Sequence, residues 1–216
     1  MDATPCFDPD CRRCPRLAGF LDQVRAEHPD YHARPVPAFG DANPRLLIVG
    51  LAPGMHGANR TGRPFTGDHA GLLLYRTLYK LGLASHEGSD RVDDGLVLTG
   101  CRITNAVKCL PPANKPVGGE IRQCNRFLAA ELARLPSGAA VLALGRIAHD
   151  AVLKALKLPL ASCRFAHGAE HHLGSMFMVD SYHCSRYNTQ TRRLTESMFL
   201  AVVTQVAAIA GCRPAA

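Results

Sequence analysis

Residues 45–68 read RLLIVGLAPGMHGANRTGRPFTGD. The apolar run at 46–49 predicts a buried strand, the glycines and prolines after Gly50 predict a long loop, and the apolar spacing after Asp68 predicts a helix. Ligands of open α/β sheets bind at the carboxyl ends of the strands, and a long loop inside a compact chain is usually functional. We therefore expect the functional site to be built around this loop.

The rest of the chain alternates between strand and helix patterns, which is typical of a parallel sheet covered by helices on both faces. With 216 residues, 47% of them hydrophobic, the chain is long enough for one well-buried core. We expect a single α/β domain over residues 1–216, with three layers (α/β/α) and a central four-stranded parallel sheet. Its further strands are predicted at 102–108, 139–145 and 176–182, and its helices at 17–27, 69–81, 119–135, 147–156 and 194–210.

The charge balance favours a polyanionic partner. The chain has 25 Lys and Arg against 18 Asp and Glu, a formal net charge of +7, and gathered basic side chains bind nucleic-acid phosphates. The N-terminus lacks the basic and apolar regions of an export signal, and no apolar run is long enough to cross a bilayer. We therefore expect a cytoplasmic protein.

Cysteine usage points to a metal centre. An odd number of cysteines without an export signal argues against a disulfide framework and favours metal or iron-sulfur ligands. Near the N-terminus three of them form a C-x4-C-x2-C pattern, which places three thiols on one short loop. The nine cysteines are Cys6, Cys11, Cys14, Cys101, Cys109, Cys124, Cys163, Cys184 and Cys212.

Three loops that follow predicted strands should meet at one rim of the sheet: 50–68, 105–116 and 183–193. The first is not a phosphate-binding P-loop, because Arg63 and Pro64 stand where a lysine and a magnesium-binding hydroxyl are needed. It also lacks the Gly-x-Gly turn of a dinucleotide-binding fingerprint. The loop therefore argues against kinase and dehydrogenase functions.

Each of these loops carries a motif: GLAPGMHGANRTGRPFTGD at 50–68, NAVKCLPPANKP at 105–116 and HCSRYN at 183–188. Together with the cysteine pattern they resemble the motifs of the uracil-DNA glycosylase superfamily, closest to its iron-sulfur family 5 (UDGb type). The resemblance implies the uracil-DNA glycosylase-like fold and a monofunctional DNA glycosylase of base excision repair, which flips a damaged base out of the duplex and hydrolyses its bond to the sugar. It implies uracil as substrate, together with hypoxanthine and other deaminated or damaged bases.

The resemblance assigns Asp68 and His183 as catalytic residues. His183 would donate a hydrogen bond to uracil O2 as negative charge builds on the departing base. Several superfamily members place a carboxylate or amide after the first-motif glycine to position water. This sequence has Leu51 there, so the family 5 pattern points to Asp68. Capping the helix that follows is the alternative role of Asp68.

The same motifs imply a set of residues that bind the base. Phe65 matches the aromatic residue that stacks on the extruded uracil, and Asn105 matches the amide that reads its edge. Asn114 is the alternative reader of the base. The expected substrate-binding residues are Gly50, Ala52, His56, Asn59, Phe65, Asn105 and Asn114.

Basic and polar residues on the loops are expected to contact the DNA backbone without sequence preference. Arg186 or Tyr187 is also expected to fill the gap that the flipped base leaves in the stack. The expected DNA-binding residues are Arg60, Arg63, Ser185, Arg186 and Asn188, with Lys108, Lys115, Arg192 and Arg193 beside them.

In this resemblance Cys11, Cys14, Cys109 and Cys124 are the four ligands of a [4Fe-4S] cluster. Cys6 is an alternative ligand, because C-x4-C-x2-C is also a ferredoxin spacing, and four thiolates can also bind zinc. The centre would be structural and would tie the irregular N-terminal segment, residues 1–40, to the second loop.

Leu51 keeps a different class of function open, namely a non-catalytic iron-sulfur or zinc module that binds damaged or single-stranded DNA. A relative that captures DNA covalently is a further alternative. No lysine stands out as a Schiff-base nucleophile, so strand cleavage is not expected. A monomer is expected.

Overall fold

The computed structural model describes residues 7–212. Within this range the chain forms seven α-helices and six β-strands in the predicted alternating order. In chain order they are α1 (Pro15–Glu27), β1 (Phe39–Gly40), β2 (Leu46–Gly50), α2 (Ala58–Thr61), α3 (His69–Lys80), β3 (Cys101–Asn105), α4 (Gly118–Leu132), β4 (Ala140–Leu144), α5 (Arg146–Ala155), β5 (Glu170–Leu173), β6 (Met176–Ser181), α6 (Arg186–Gln190) and α7 (Glu196–Ile209).

The strands form one sheet in the order β1-β3-β2-β4-β6-β5. Its four central strands are parallel, which confirms the predicted parallel core. The sheet nevertheless has six strands, because β1 and β5 pair antiparallel at its two edges. The sequence did not predict these edges, since β1 has two residues and β5 (EHHL) is polar and largely exposed.

The core lies on both faces of the two innermost strands. Every residue of β2 and β4 is buried, and side chains along a strand alternate between the faces. Leu46 and Ile48 pack with α3 and α7 on one face. Leu47 and Val49 pack with α4 and α5 on the other. This two-sided burial explains the uninterrupted apolar run at 46–49.

Parallel pairing brings the carboxyl ends of the four central strands to one rim. Gly50 at the end of β2 pairs with Asn105 at the end of β3. The strand predicted at 102–108 ends at Asn105. Beyond it the amides of Ala106 and Val107 donate to the carbonyl oxygens of Gly50 and Leu51 at 2.9 and 3.0 Å. These bonds hold the first and second loops side by side.

Lys108 is buried behind this rim and does not face DNA, so its expected contact with the DNA backbone is wrong. Its ammonium group donates to Glu131 Oε1 of α4 at 2.8 Å and to the hydroxyl of Thr104. The side chains of Lys108 and Glu131 are 2% and 6% exposed. A buried charge needs such a partner, because desolvation of an unpaired ion is costly.

Among residues 7–212, no helix has both the length and the apolar character needed to cross a membrane.

We predict that Lys108→Met lowers the free energy of unfolding by about 3–5 kcal/mol, because it leaves the Glu131 carboxylate buried without a cation. Urea unfolding followed by circular dichroism measures the change. The matched control is Arg91→Met, which breaks the solvent-exposed pair of Arg91 and Asp93 and should leave the unfolding midpoint nearly unchanged. Equal midpoints for both variants would contradict the prediction.

Candidate active site

A cavity of about 520 Å³ opens at the rim of the sheet. All three predicted loops line it: Leu51, Ala52, Gly54, Ala58, Phe65 and Asp68 from the first, Asn105 and Asn114 from the second, and His183 and Ser185 from the third. A fourth wall, which was not predicted from the sequence, lies between β4 and α5 and is formed by Leu144, Gly145, Arg146 and Ile147.

An aromatic ring forms part of the cavity wall. Phe65 is 5% exposed, and its ring lies 5.9 Å from the His183 ring at an interplanar angle of 25°. Its backbone has φ +57°, a left-handed conformation that costs a non-glycine residue about 1–2 kcal/mol. The buried Tyr75 hydroxyl donates to the neighbouring Pro64 carbonyl at 2.6 Å and helps to hold this conformation.

The Asn105 amide approaches the same ring because Gly50 has no side chain. A Cβ atom at Gly50 would lie 2.4 Å from Asn105 Oδ1 and 2.7 Å from Phe65 Cζ. Asn105 is 4% exposed, and its Oδ1 has no hydrogen-bond partner among the residues that the structure describes. Buried polar atoms are normally paired, so this oxygen is available to a donor on a ligand.

Asp68 combines the two roles that the sequence left open. Its Oδ1 accepts the amide of Gly71 at 2.8 Å and caps α3, and the residue also lines the cavity. A Cβ atom at Gly57 would lie 2.7 Å from Asp68 Oδ2, so the first loop passes close to the carboxylate. Burial raises the pKa of Asp68.

The imidazole of His183 forms part of the cavity wall. It follows β6, and its carbonyl oxygen accepts Asn188 Nδ2 at 2.8 Å, while Ser185 caps α6. Burial lowers the pKa of His183 to about 4. A neutral ring carries one N–H donor, so at neutral pH His183 can stabilise developing negative charge without being charged itself.

Three of the expected substrate-binding residues, Gly50, His56 and Asn59, do not line the cavity. Gly50 lies against Asn105 and Phe65, which do line it. Asn59 is fully buried and does not line it, so its expected substrate contact is wrong. His56 is exposed outside the cavity, where its Nδ1 lies 2.9 Å from the hydroxyl of Tyr31.

Some of the expected DNA-binding residues are buried and others are exposed. Arg63 is 4% exposed and bonds to Thr66, Ser89 and Asp94. The prediction that it binds phosphate is therefore wrong. The side chain of Asn188 donates to the carbonyl oxygen of His183 and so supports the third loop. Arg60 and Arg186 are exposed, as a phosphate contact requires.

Four thiols meet between α1, α4 and residues 107–109. Cys11, Cys14, Cys109 and Cys124 line one small cavity, and Cys6 lies outside the described residues. Burial raises the pKa of Cys124 to about 11 and also raises that of Cys109. A metal centre would be needed to keep such thiols ionised.

The thiol of Cys124 also has a polar backbone neighbour. The backbone amide of Lys108 lies 3.2 Å from Cys124 Sγ, where it can donate to a thiolate.

One ion pair connects this region to the cavity. Arg16 of α1 makes a bidentate contact with Glu120 of α4, with both N–O distances at 2.8 Å, and also donates to the carbonyl oxygen of Lys115 at 3.2 Å. Lys115 follows Asn114, whose backbone φ is +55°. The N-terminal helix therefore supports the segment that carries Asn114 into the cavity.

Comparison with known proteins gives a consistent result. A family model described as the Uracil DNA glycosylase superfamily matches residues 37–207. A type-5 uracil-DNA glycosylase of Thermus thermophilus is 48% identical, over 93% of this chain and 94% of that protein. A type-5 enzyme of Pyrobaculum aerophilum is 42% identical, over 94% of this chain and 90% of that protein. A type-4 uracil-DNA glycosylase of the same organism is 35% identical over 57% of this chain.

We predict that the His183 ring stays neutral at about pH 6, where an ordinary histidine with a pKa of about 6.5 is mostly protonated. Ring nitrogen shifts measured by NMR across a pH titration test this, with His183→Gln assigning the signal. Because the folded pKa is the lower one, the unfolded chain binds more protons between about pH 4 and 6.5. The neutral ring therefore contributes stability that is lost as the pH falls through this range. A midpoint near 6.5 would contradict the prediction.

Proposed function

The chain belongs to the uracil-DNA glycosylase superfamily, and we propose that it is a monofunctional glycosylase that removes uracil from DNA. The observation that carries the proposal is the convergence of Phe65, Asp68, Asn105 and His183 on one cavity at the sheet rim. An aromatic face, an amide, a neutral imidazole and a carboxylate are the groups that bind a flipped base and assist its departure.

The proposed reaction begins with a base flipped into the cavity. Phe65 stacks on the base, and the Asn105 amide accepts from its N3 proton and donates to O4. As the bond between the base and C1′ breaks, the electron pair moves onto the base. The N–H of His183 stabilises that charge at O2 more effectively in a dry site than in water. Asn114 lies in the cavity wall and is a second candidate contact to the base.

Asp68 acts on the sugar side of the same bond. Its carboxylate stabilises the positive charge that develops on the deoxyribose and orients a water molecule toward C1′. Water then supplies the hydroxyl group at C1′ and the proton of the released base, so the products are the free base and an abasic site. The cavity-lining residues include no lysine, which supports hydrolysis without a Schiff base or strand cleavage.

The proposed substrate range extends beyond uracil. A cavity of about 520 Å³ is larger than a pyrimidine requires, so it has room for hypoxanthine and other deaminated or damaged bases. Arg60 and Arg186 are exposed and can contact phosphates, and Tyr187, 69% exposed, can enter the base stack. The proposed location is the cytoplasm, at the nucleoid, where such a DNA substrate would be found.

We also propose that Cys11, Cys14, Cys109 and Cys124 hold a [4Fe-4S] cluster. The meeting of four thiols at one small cavity, two of them on buried residues, and the amide beside Cys124 support this assignment. A bound cluster would supply a structural crosslink. The residues of this region would then hold α1 against α4 and, through Arg16, support the Asn114 segment.

We predict that Asp68→Asn slows release of uracil from duplex DNA by about 10²–10⁴-fold, the usual contribution of an acid-base group. The amide keeps an oxygen for the Gly71 amide, so the cap of α3 survives. The matched control is Thr195→Ala, which removes the cap of α7 outside the cavity. It should cost about 1 kcal/mol of stability and leave the rate unchanged.

The protein is incubated with matched duplexes that contain uracil, hypoxanthine or an ordinary base. Alkali then breaks the DNA strand at any abasic site. Breaks that need both the damaged base and alkali establish a monofunctional glycosylase. Equal rates for the Asp68→Asn variant and the wild type would remove Asp68 from the mechanism. DNA that is bound without loss of its base would favour a binding module instead.

We predict that anaerobically purified protein contains about four iron and four sulfide ions per chain and absorbs visible light. Cys109→Ser should lose the iron and the colour, whereas Cys212→Ser, which alters a half-buried cysteine outside the thiol cavity, should keep both. Iron and sulfide analysis with absorption spectroscopy makes the measurement. A colourless protein with one zinc ion per chain would contradict the cluster assignment.

A further inference from the structure

A second group of chemically active side chains is buried outside the cavity. Asp180 of β6 contacts His149 of α5 through Oδ1 and His171 of β5 through Oδ2, each oxygen lying 2.8 Å from a ring nitrogen. The side chains of His149 and Asp180 are fully buried, and that of His171 is 10% exposed. Three separate elements thus bring two imidazoles and one carboxylate within 4.8 Å of one another.

Both nitrogens of His149 face oxygen atoms that only accept hydrogen bonds. Nε2 lies 3.1 Å from the carbonyl oxygen of Cys163, and Nδ1 lies 2.8 Å from the Asp180 carboxylate. A neutral imidazole has one N–H. If the carbonyl receives it, the lone pair of Nδ1 points at the carboxylate, and a cation must lie between the two.

We propose that His149, His171 and Asp180 bind a divalent transition metal ion of the zinc type. Two imidazoles and a carboxylate are ligands that zinc favours. A carbonyl acceptor on the remote nitrogen, here that of Cys163, is the usual orientation device of a metal-bound histidine. The ligand atoms around zinc lie roughly 3.3 Å apart, so a small outward movement from the 2.8 Å contacts accommodates the ion.

Charge balance supports a cation at this place. Within residues 7–212 the Asp180 carboxylate forms ion pairs with these two histidines and with no lysine or arginine. Its remaining contact is the backbone amide of Ala166, 3.4 Å from Oδ2. A divalent ion compensates the buried negative charge and leaves both imidazoles neutral, as metal ligands must be.

The metal site fastens segments that shape the cavity without entering it. His149 lies in the first half of α5, whose initial residues Arg146 and Ile147 form one cavity wall. Asp180 is near the end of β6, three residues before His183. A bound ion therefore joins β5, β6 and α5 just behind the rim, and the proposal does not depend on the glycosylase activity.

The test uses the whole protein with its cysteine site intact. The protein is treated with a chelator, its iron content is checked, and Co²⁺ is added while the visible spectrum is recorded. We expect about one Co²⁺ per chain with the weak absorption of nitrogen and oxygen ligands and without sulfur-to-cobalt charge transfer.

The matched variants are His171→Gln and His172→Gln. Glutamine at 171 keeps a polar group beside Asp180 but removes a ligand, and we expect Co²⁺ binding roughly tenfold weaker or worse. His172 is the next residue on the same strand, and its ring packs edge-on against Phe177 instead, so its replacement should leave binding unchanged. Zn²⁺ should raise the Tm of the wild type and of the His172→Gln variant, but not that of the His171→Gln variant.

Three results would overturn the proposal. Absence of binding to the wild type would leave a proton as the cation between His149 and Asp180. Equal affinity of the wild type and the His171→Gln variant would place the metal elsewhere. Sulfur-to-cobalt charge transfer would place it on the cysteines. Circular dichroism of the His171→Gln variant establishes that it is folded, and the wild-type titration decides the first and third results without any variant.

Discussion

The cavity depends on one close approach, the pairing of Gly50 with Asn105 at the ends of β2 and β3. With no side chain at Gly50, the Asn105 amide and the Phe65 ring both reach the strand end. Hydrogen bonds from Ala106 and Val107 to the first loop extend the pairing beyond the sheet. A single methyl group at Gly50 would therefore separate the amide from the ring, and the base-sized site would lose its shape.

The parallel core and the rim could be predicted from the sequence because two-sided burial demands unbroken apolar runs and because the polar residues follow directly. Asp68, Phe65, Asn105 and His183 all line the cavity, as the motifs implied. The wall between β4 and α5 was missed, since LGRI reads as an ordinary strand end and helix start. The glycine at position 145 was the one residue of this segment that could indicate a turn. Its φ of +95° is a conformation that favours glycine.

The charge of a residue in the sequence does not reveal whether its side chain points toward solvent or into the protein. Arg63 was expected on the DNA-facing surface, but its guanidinium group is enclosed by Ser89 and Asp94. These partners come from residues 84–95, a segment that has no apolar periodicity and gave no sign of packing against the first loop. Lys108 also points inward, because its partner Glu131 lies on α4. The two residues are 23 positions apart in the sequence, so their pairing could not be predicted from it.

Under the proposed function, the Oδ1 of Asn105, which has no hydrogen-bond partner among the described residues, bears on which bases the cavity accepts. A base with a proton at N3 would satisfy this acceptor, whereas cytosine presents a lone pair at N3 and would leave it unpaired. One buried amide would therefore favour uracil over the normal cytosines of the genome.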